Sequence, residues 1–389
     1  MSLRTAVIGG GTVSETHLSG LSQNPKTELV AICDLDEATA REKAKSHRIK
    51  AYFDVDDLLD SESLDWVHVC TPPQTHLAVA TRILEAGIPV LIEKPVTETI
   101  EEFEELAAVA DREGVDFSVV HNHKFGPVER RVREEIEAGN LGQIRGVDLL
   151  YTGSTEPDVA NRGAWNFELL GGEFEEGLPH PLYLGLTAGG LPRSEADVSA
   201  QTSLLGSYDR DFGYDAAQLQ YVSESGTLCT IKMLSGTKPV RVLYVHGSES
   251  TLAADLVSQT LVRLDRDYKA SPVARARNNI DQIADRIRGT AENVGVVLAD
   301  KREGTWETAI ERNGSYYQFD REAEALLTGT DPAVSVEEAR WTVRLQEAIR
   351  DSVTSADSSD ERPESATGRT ESVDGQSDAT AESEVPSDD

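Results

Sequence analysis

A lysine at the end of a short apolar run is the first residue here that asks for a chemical explanation. Val90 to Ile92 stops abruptly in Glu93-Lys94-Pro95. A cation at a strand end can hydrogen-bond an oxygen lying beyond that end; a surface salt bridge is the plain alternative. Upstream, Gly9-Gly10-Gly11-Thr12-Val13-Ser14 follows an apolar run over residues 3–8 and precedes a helical stretch to residue 23. In this G-x-G-x-x-S pattern Gly9 permits a tight turn. Gly11, with Thr12 and Val13 after it, lets the backbone approach a pyrophosphate seated on the helix N-terminus, and Ser14 is small enough for helix-strand packing. Asp34 closes a second apolar run, residues 29–33. A carboxylate there accepts hydrogen bonds from both adenosine ribose hydroxyls and repels a 2'-phosphate, so NAD is preferred over NADP. Its alternative role, capping the next helix, suits Asp36 better.

These residues need strands to deliver them. Apolar runs at 3–8, 29–33, 64–69, 89–92 and 115–120 alternate with helical stretches at 37–47, 54–59, 75–86 and 99–113. Such alternation predicts a doubly wound parallel sheet, with a ligand crevice beyond the carboxyl ends of its strands. Gly9, Asp34, Thr71 (in Cys70-Thr71-Pro72-Pro73) and Lys94 all follow strand ends, so they converge on that crevice. After His121 the character changes. Strand-like runs at 144–151, 198–205, 217–222, 227–234, 240–246, 250–255 and 260–264 lack intervening helices, which predicts a largely antiparallel open sheet. Helices at 180–188, 274–296 and 321–327 are expected over one of its faces. A final helix at 335–351 begins with a capping box, Ser335 and Glu338. The expected fold is α/β: an N-terminal Rossmann domain over 1–121, an α+β domain over 122–351, and a disordered acidic tail over 352–389.

Composition excludes several classes. The net charge of -32, with only 37 basic residues, repels nucleic acid and anionic membranes. The excess of acid is spread along the chain, and lysine is scarce, as expected of a protein adapted to high salt. No apolar stretch approaches a membrane span, and nothing at the N-terminus reads as a signal peptide. Cys33, Cys70 and Cys229 form no CxxC, so buried free thiols in a reducing cytoplasm are expected. An open sheet face predicts a homodimer or homotetramer through the C-terminal sheet.

Taken together, the chain resembles the Gfo/Idh/MocA family of sugar and polyol dehydrogenases over residues 3 to 350. The resemblance rests on Gly9-x-Gly11 with His17, Asp34, Thr71-Pro72-Pro73 with His76, and Glu93-Lys94-Pro95. Lys124-Phe125-x-Pro127 and Gly171-Gly172 followed by His180 extend it into the second half. It implies hydride transfer between NAD and a secondary alcohol or carbonyl of a sugar, polyol or sugar derivative, free or nucleotide-linked. It also implies cofactor contacts from Pro72, His76 and Glu93. Oxidising an alcohol requires a base for the hydroxyl proton and a group that steadies the developing alkoxide. By analogy these are His180 and Lys94. Glu176 either orients His180 or binds a substrate hydroxyl; if 176–180 is one helical turn, the two share a face.

Two departures stand out. Glu176 replaces the family's aspartate four residues before the histidine, and Tyr183 replaces an acid three residues after it. The second suggests a different substrate polarity or a different way of orienting His180. Other candidates keep two roles each. Asn122 and Lys124 bind substrate hydroxyls or hydrogen-bond between domains. Trp165 stacks on a sugar ring or packs, and Arg162 binds an anion or is solvated. His121 and His123 alternate, but no third ligand stands at metal spacing, so no metal is expected. Two rival functions share the same fold: an NAD-binding sensor or scaffold without turnover, and a reductase of imine or linear tetrapyrrole substrates.

Overall fold

The computed structural model describes residues 2–153, 163–208, 213–264 and 271–357. Arg162 and the tail beyond residue 357 lie outside the described residues. The first sheet contains β1 (Leu3–Ile8), β2 (Thr27–Cys33), β3 (Lys50–Tyr52), β4 (Trp66–Val69), β5 (Val90–Ile92) and β6 (Phe117–Val119). Between them run α1 (Ser14–Gln23), α2 (Glu37–His47), α3 (Val55–Ser61), α4 (His76–Glu85) and α5 (Ile100–Glu113). Strand order is β3-β2-β1-β4-β5-β6, with every pairing parallel. The order reverses between β1 and β4, and in such sheets the crevice opens at that reversal. The three residues of β3 are too few to show a period-two pattern in the sequence.

Local chemistry sets these elements. In α5, Phe103, Leu106, Ala107 and Ala110 form the buried stripe, spaced three and four apart. Thr99 caps its start by accepting from Glu102 N, and Gly114, at φ 66°, ends it. Asp36 caps α2 by accepting from Ala38 N. The three cysteines are buried and free.

The second half begins with α6 (Pro127–Glu137) and β7 (Ile144–Thr152). After α7 (Phe174–Gly177) and α8 (Pro179–Gly189) come β8 (Ser199–Ser203), β9 (Ala216–Val222), β10 (Leu228–Leu234), β11 (Arg241–Gly247), β12 (Thr251–Asp255) and β13 (Thr260–Leu264). The order is β13-β12-β11-β7-β10-β9-β8; β7 and β10 run parallel and the other neighbours antiparallel. The fold is therefore a parallel Rossmann sheet followed by a mostly antiparallel one. Helix α8 is apolar all round and lies on the inner face, with Leu182 and Tyr183 fully buried. Burying such a leucine stabilises by about 1.5–3 kcal/mol. The approach is close: a Cβ added at Gly189 would stand 2.2 Å from Cys229 Sγ. Glycine there lets α8 settle on the sheet and fixes the height of His180 and Tyr183 above it.

Four further helices follow: α9 (Pro272–Glu303), α10 (Trp306–Arg312), α11 (Gly314–Thr328) and α12 (Val336–Asp357). Three differ from expectation; α11, expected at 321–327 over a face of the second sheet, instead packs on α1 of the first domain. α9 does not cover a sheet face; it lies along the edge strand β13, and its one buried residue is Gly289. α12 runs past residue 351 to Asp357. The chain also returns to the first domain. Phe319 and Ala323 of α11, with Ala339 and Val343 of α12, join its core, while Trp341, Leu345 and Ile349 join the second.

Candidate active site

The glycine loop turns sharply at Gly9, φ 97°, where an added Cβ would stand 2.7 Å from the backbone of Cys70. Gly9 N donates to Cys33 O at 2.8 Å, and Gly10 N donates to Asp34 Oδ2 at 2.6 Å. Nothing stands within 4 Å of the place a Cβ would take at Gly11. Beyond the loop opens a cavity of about 590 Å³ lined by Gly9, Gly11, Thr12, Val13, Asp34, Thr71, Pro72, Glu93 and Lys94. No side chain caps α1, whose N-terminus follows the loop. An open cradle at Gly11, a helix start without a side-chain cap, a ribose-side carboxylate and apolar walls at Val55, Pro73 and Val79 fit a dinucleotide.

Asp34 lines the cavity and also braces the loop. Oδ2 takes Gly10 N, and Oδ1 takes Asp36 N at 2.8 Å. Its carboxylate therefore holds the loop as well as presenting lone pairs to the cavity. Asp34→Ala should raise the KM for NAD about 10-fold or more, since hydrogen bonds to a charged group are worth about 1.5–3 kcal/mol. Steady-state titration of NAD against NADP checks this. An unchanged NAD constant would remove the role.

Lys94 is buried at the end of β5, where Nζ donates to Glu176 O at 3.0 Å and to Glu176 Oε1. Glu93 points the other way. Its Oε1 meets His17 Nε2 at 2.9 Å, and His17 Nδ1 meets His68 Nδ1 at 2.8 Å. Glu93 Oε2 accepts Lys94 N at 3.1 Å. Burial pushes the Glu93 carboxyl up, but the His17 hydrogen bond and charge, with Lys94, outweigh it and hold the group below its ordinary value. The lysine thus projects from a strand end pinned to α1.

On the second domain, α7 passes through Leu178, which is itself helical, into α8, so Glu176 and His180 lie one turn apart. Glu176 lines the first cavity and also a second of about 420 Å³, which His180, Asn166 and Arg241 line with it. The chemistry-bearing ends of both domains meet at this carboxylate.

Tyr183 orients the histidine. Its hydroxyl stands 2.8 Å from His180 Nδ1, accepts His123 N at 3.0 Å and donates to Asn122 Oδ1 at 3.3 Å. One hydroxyl offers one hydrogen and two lone pairs. With its hydrogen on Asn122, the His180 contact requires Nδ1–H to donate, which leaves Nε2 as the basic nitrogen. Burial raises the Tyr183 phenol well above its ordinary value, so it stays neutral. The His123 ring stacks on His180 at 4.0 Å, and His121 stacks on Tyr183 at 4.2 Å.

Three expected contacts fall elsewhere. His76 does not line the cofactor cavity. It is fully buried, with Nε2 on Thr71 O at 2.8 Å and Nδ1 on Pro95 O at 3.0 Å, and so ties the two loops that shape the cavity. Lys124 is not in the substrate cavity. Its Nζ donates to Glu338 Oε2 at 2.5 Å, beside His121 Nδ1 on Oε1 at 2.9 Å, which joins β6 to α12. Trp165 lines the first cavity rather than the second. Asn122 holds Tyr183, donates to Ser315 Oγ at 3.2 Å and borders a third cavity of about 460 Å³. Among the described residues no three His, Cys, Asp or Glu side chains group to hold a metal. No helix among them is long and apolar enough to cross a membrane.

Sequence reading missed Arg241 and Tyr151. They pair across β11 and β7, and the guanidinium lies 4.3 Å from the ring centroid. Both residues, with His123, line the second and third cavities. Arg241 Nε is buried without a hydrogen-bond partner. In the third cavity, burial pushes the Glu129 carboxyl up to about 7. The alternation of β7 and β11 was legible, but nothing in it signals a cation and a ring 90 residues apart.

A doubly wound sheet, a glycine loop and a dinucleotide-sized cavity with a lysine at its inner end define a nucleotide-binding protein with a second, ligand-facing domain. Residues 3–121 match the model of the Gfo/Idh/MocA oxidoreductase family, NAD-binding Rossmann fold, and form an NAD-binding Rossmann domain. Among curated relatives, the rhizopine catabolism protein MocA of Rhizobium meliloti is 30% identical over 141 residues, 36% of this chain and 44% of the relative. The inositol 2-dehydrogenase of the same species is 25% identical over 264 residues, 66% of this chain and 76% of the relative. The chain spans less than half the length of the first curated relatives it matches. Over 92% of this chain and 98% of the other, the fold matches the WlbA dehydrogenase of Bordetella pertussis in complex with NADH and UDP-GlcNAcA, with a TM-score of 0.70 and 19% identity.

Proposed function

We propose that the protein is an NAD-dependent oxidoreductase acting on a secondary alcohol or carbonyl of a sugar or polyol derivative that carries an anionic group. The observation that carries this is the position of Glu176, bonded to Lys94 and lining both the cofactor cavity and the cavity of His180. Bound NAD supplies the hydride acceptor. In the oxidative direction His180 takes the hydroxyl proton, and Lys94 hydrogen-bonds the oxygen as negative charge builds on it.

The anionic group follows from Arg241. A guanidinium 4.3 Å from the Tyr151 ring centroid, with no ion pair among the described residues and a buried Nε left over, suits a carboxylate or phosphate. The third cavity beyond it gives room for a larger substituent, and there a Glu129 carboxyl that protonates near neutrality offers a hydrogen to a hydroxyl-rich ligand. In the same reading, the uncovered face of the second sheet brings copies of the chain together.

The test is NADH formation at high salt across neutral polyols, uronic acids, sugar phosphates and nucleotide-linked sugars. Arg241→Met should raise the KM of the best anionic substrate about 10- to 100-fold with little change in kcat. A neutral polyol as best substrate, with Arg241→Met silent, would refute the anionic assignment. No turnover with any compound would refute the enzyme.

A further inference from the structure

Over its 32 residues α9 buries only Gly289, which rests against Thr260 of β13. The side facing the body is largely polar, with Val296 and Val297 at the third cavity. Asp285 accepts Arg263 N at 3.3 Å, Glu292 pairs with Arg131 at 2.5 Å, Asn293 donates to Gln259 O at 2.7 Å, and Asp300 pairs with Arg312 at 2.7 Å. The side turned to solvent is apolar. Ile280, Ile287 and Leu298 are 64%, 65% and 60% exposed, and Ala284, Ala291 and Val294 are exposed with them. This inverts the usual arrangement for a surface helix. The six positions step by four and three in turn, the spacing that keeps side chains in one seam between paired helices. Monomers rarely expose a contiguous apolar strip of this kind.

We infer that the strip is a contact with α9 of a second copy, the two helices antiparallel about a two-fold axis beside Asp285 and Arg286. Between Ile280 and Ala291 the sequence of the strip is complementary to itself in that orientation; further out, Val294 falls against Arg277 of the second copy, whose aliphatic stem can cover it while the guanidinium reaches solvent. Ile280 falls against Ala291 of the second copy and Ala284 against its Ile287; the two-fold repeats both pairs. Val273 falls against Leu298 at each end. Each isoleucine thus meets an alanine, and large-against-small layers pack without voids. On the flank, Asp281 comes opposite Arg288 of the second copy, and the reverse. Parallel helices would set alanine on alanine and isoleucine on isoleucine, leaving gaps and crowding in alternate layers. An anionic lipid surface is a poor occupant for a chain of net charge -32. The seam covers residues 273–298, about 1.5 Å per residue along the axis. It lies apart from the sheet face and from the three cavities' catalytic groups.

Light scattering on the full chain at high salt, with a protomer mass of 42.3 kDa, tests the contact. Ile280→Glu with Ile287→Glu should halve the particle mass while helix content and NAD binding stay unchanged. Independently, a variant carrying both Ile280→Cys and Ala291→Cys should oxidise to a covalent dimer, and either substitution alone should not; the native cysteines are buried. Three results would each overturn the inference: an unchanged mass in the glutamate variant, cross-linking by the single-cysteine variants, or retention of a monomeric wild-type chain on anionic vesicles.

Discussion

Replacing Lys94 with alanine should lower kcat by about 10³-fold, the scale seen when one donor to a developing oxyanion is removed. The lysine is held for that task. β5 ends at Ile92, Glu93 is pinned by His17, and the amine is bonded to Glu176 where the first cavity meets the second. NAD binding should survive, because the glycine loop and Asp34 lie at the other end of the cavity. A complication is stability. The variant breaks the buried pair of Lys94 with Glu176, a change that costs about 3–5 kcal/mol. The paired variant Lys94→Ala with Glu176→Gln removes both charges. It should melt close to wild type and remain inactive. A paired variant with near wild-type kcat would show that Lys94 is structural.

His180→Asn should cost about 10²- to 10⁴-fold in kcat, the usual contribution of a positioned acid or base. It should also abolish the limb of the pH-rate profile that reports the base. Tyr183 separates positioning from chemistry. Tyr183→Phe removes the acceptor of His180 Nδ1–H, and with it the partner of Asn122. That variant should keep a base but lose its fixed tautomer, giving a smaller fall in kcat and a displaced pH limb. If Tyr183→Phe moved KM alone, the phenol would be a packing group. If His180→Asn kept the whole pH profile, the base would be elsewhere.

The cofactor half was legible because its signals are local. A glycine that must turn, an acid at one strand end and a lysine at another can be placed by counting along a β-α alternation. The second half was less so, for a physical reason. Whether a residue near a crevice points into it depends on the tertiary packing of its element. Lys124 follows Asn122 by two residues in the same turn after β6, yet its amine turns to Glu338 in α12. His76 sits beside the cofactor loop but bonds backbone on both sides. Arg241 reaches the site only through its register with Tyr151, which no local pattern encodes. The departure at Tyr183 could be seen in the sequence, with its role left open between substrate polarity and histidine orientation. The hydrogen bond to His180 supports the latter. α9 was visible as a helix but misplaced: it was expected over a face of the second sheet and lies along the edge strand β13.

The last helix has a consequence for how the molecule folds. Alternate faces of α12 complete two different cores, Ala339 and Val343 in one and Leu345 and Ile349 in the other. Arg344 reaches Glu104 of α5 on one side and Glu195 of the second half on the other. The first 121 residues therefore lack part of their own interior until the ribosome has released some 220 more. A fragment cut at that boundary would expose the apolar surface that α11 and α12 cover. The two halves of the site thus rest on one shared helix, and a change that frees α12 would loosen both together.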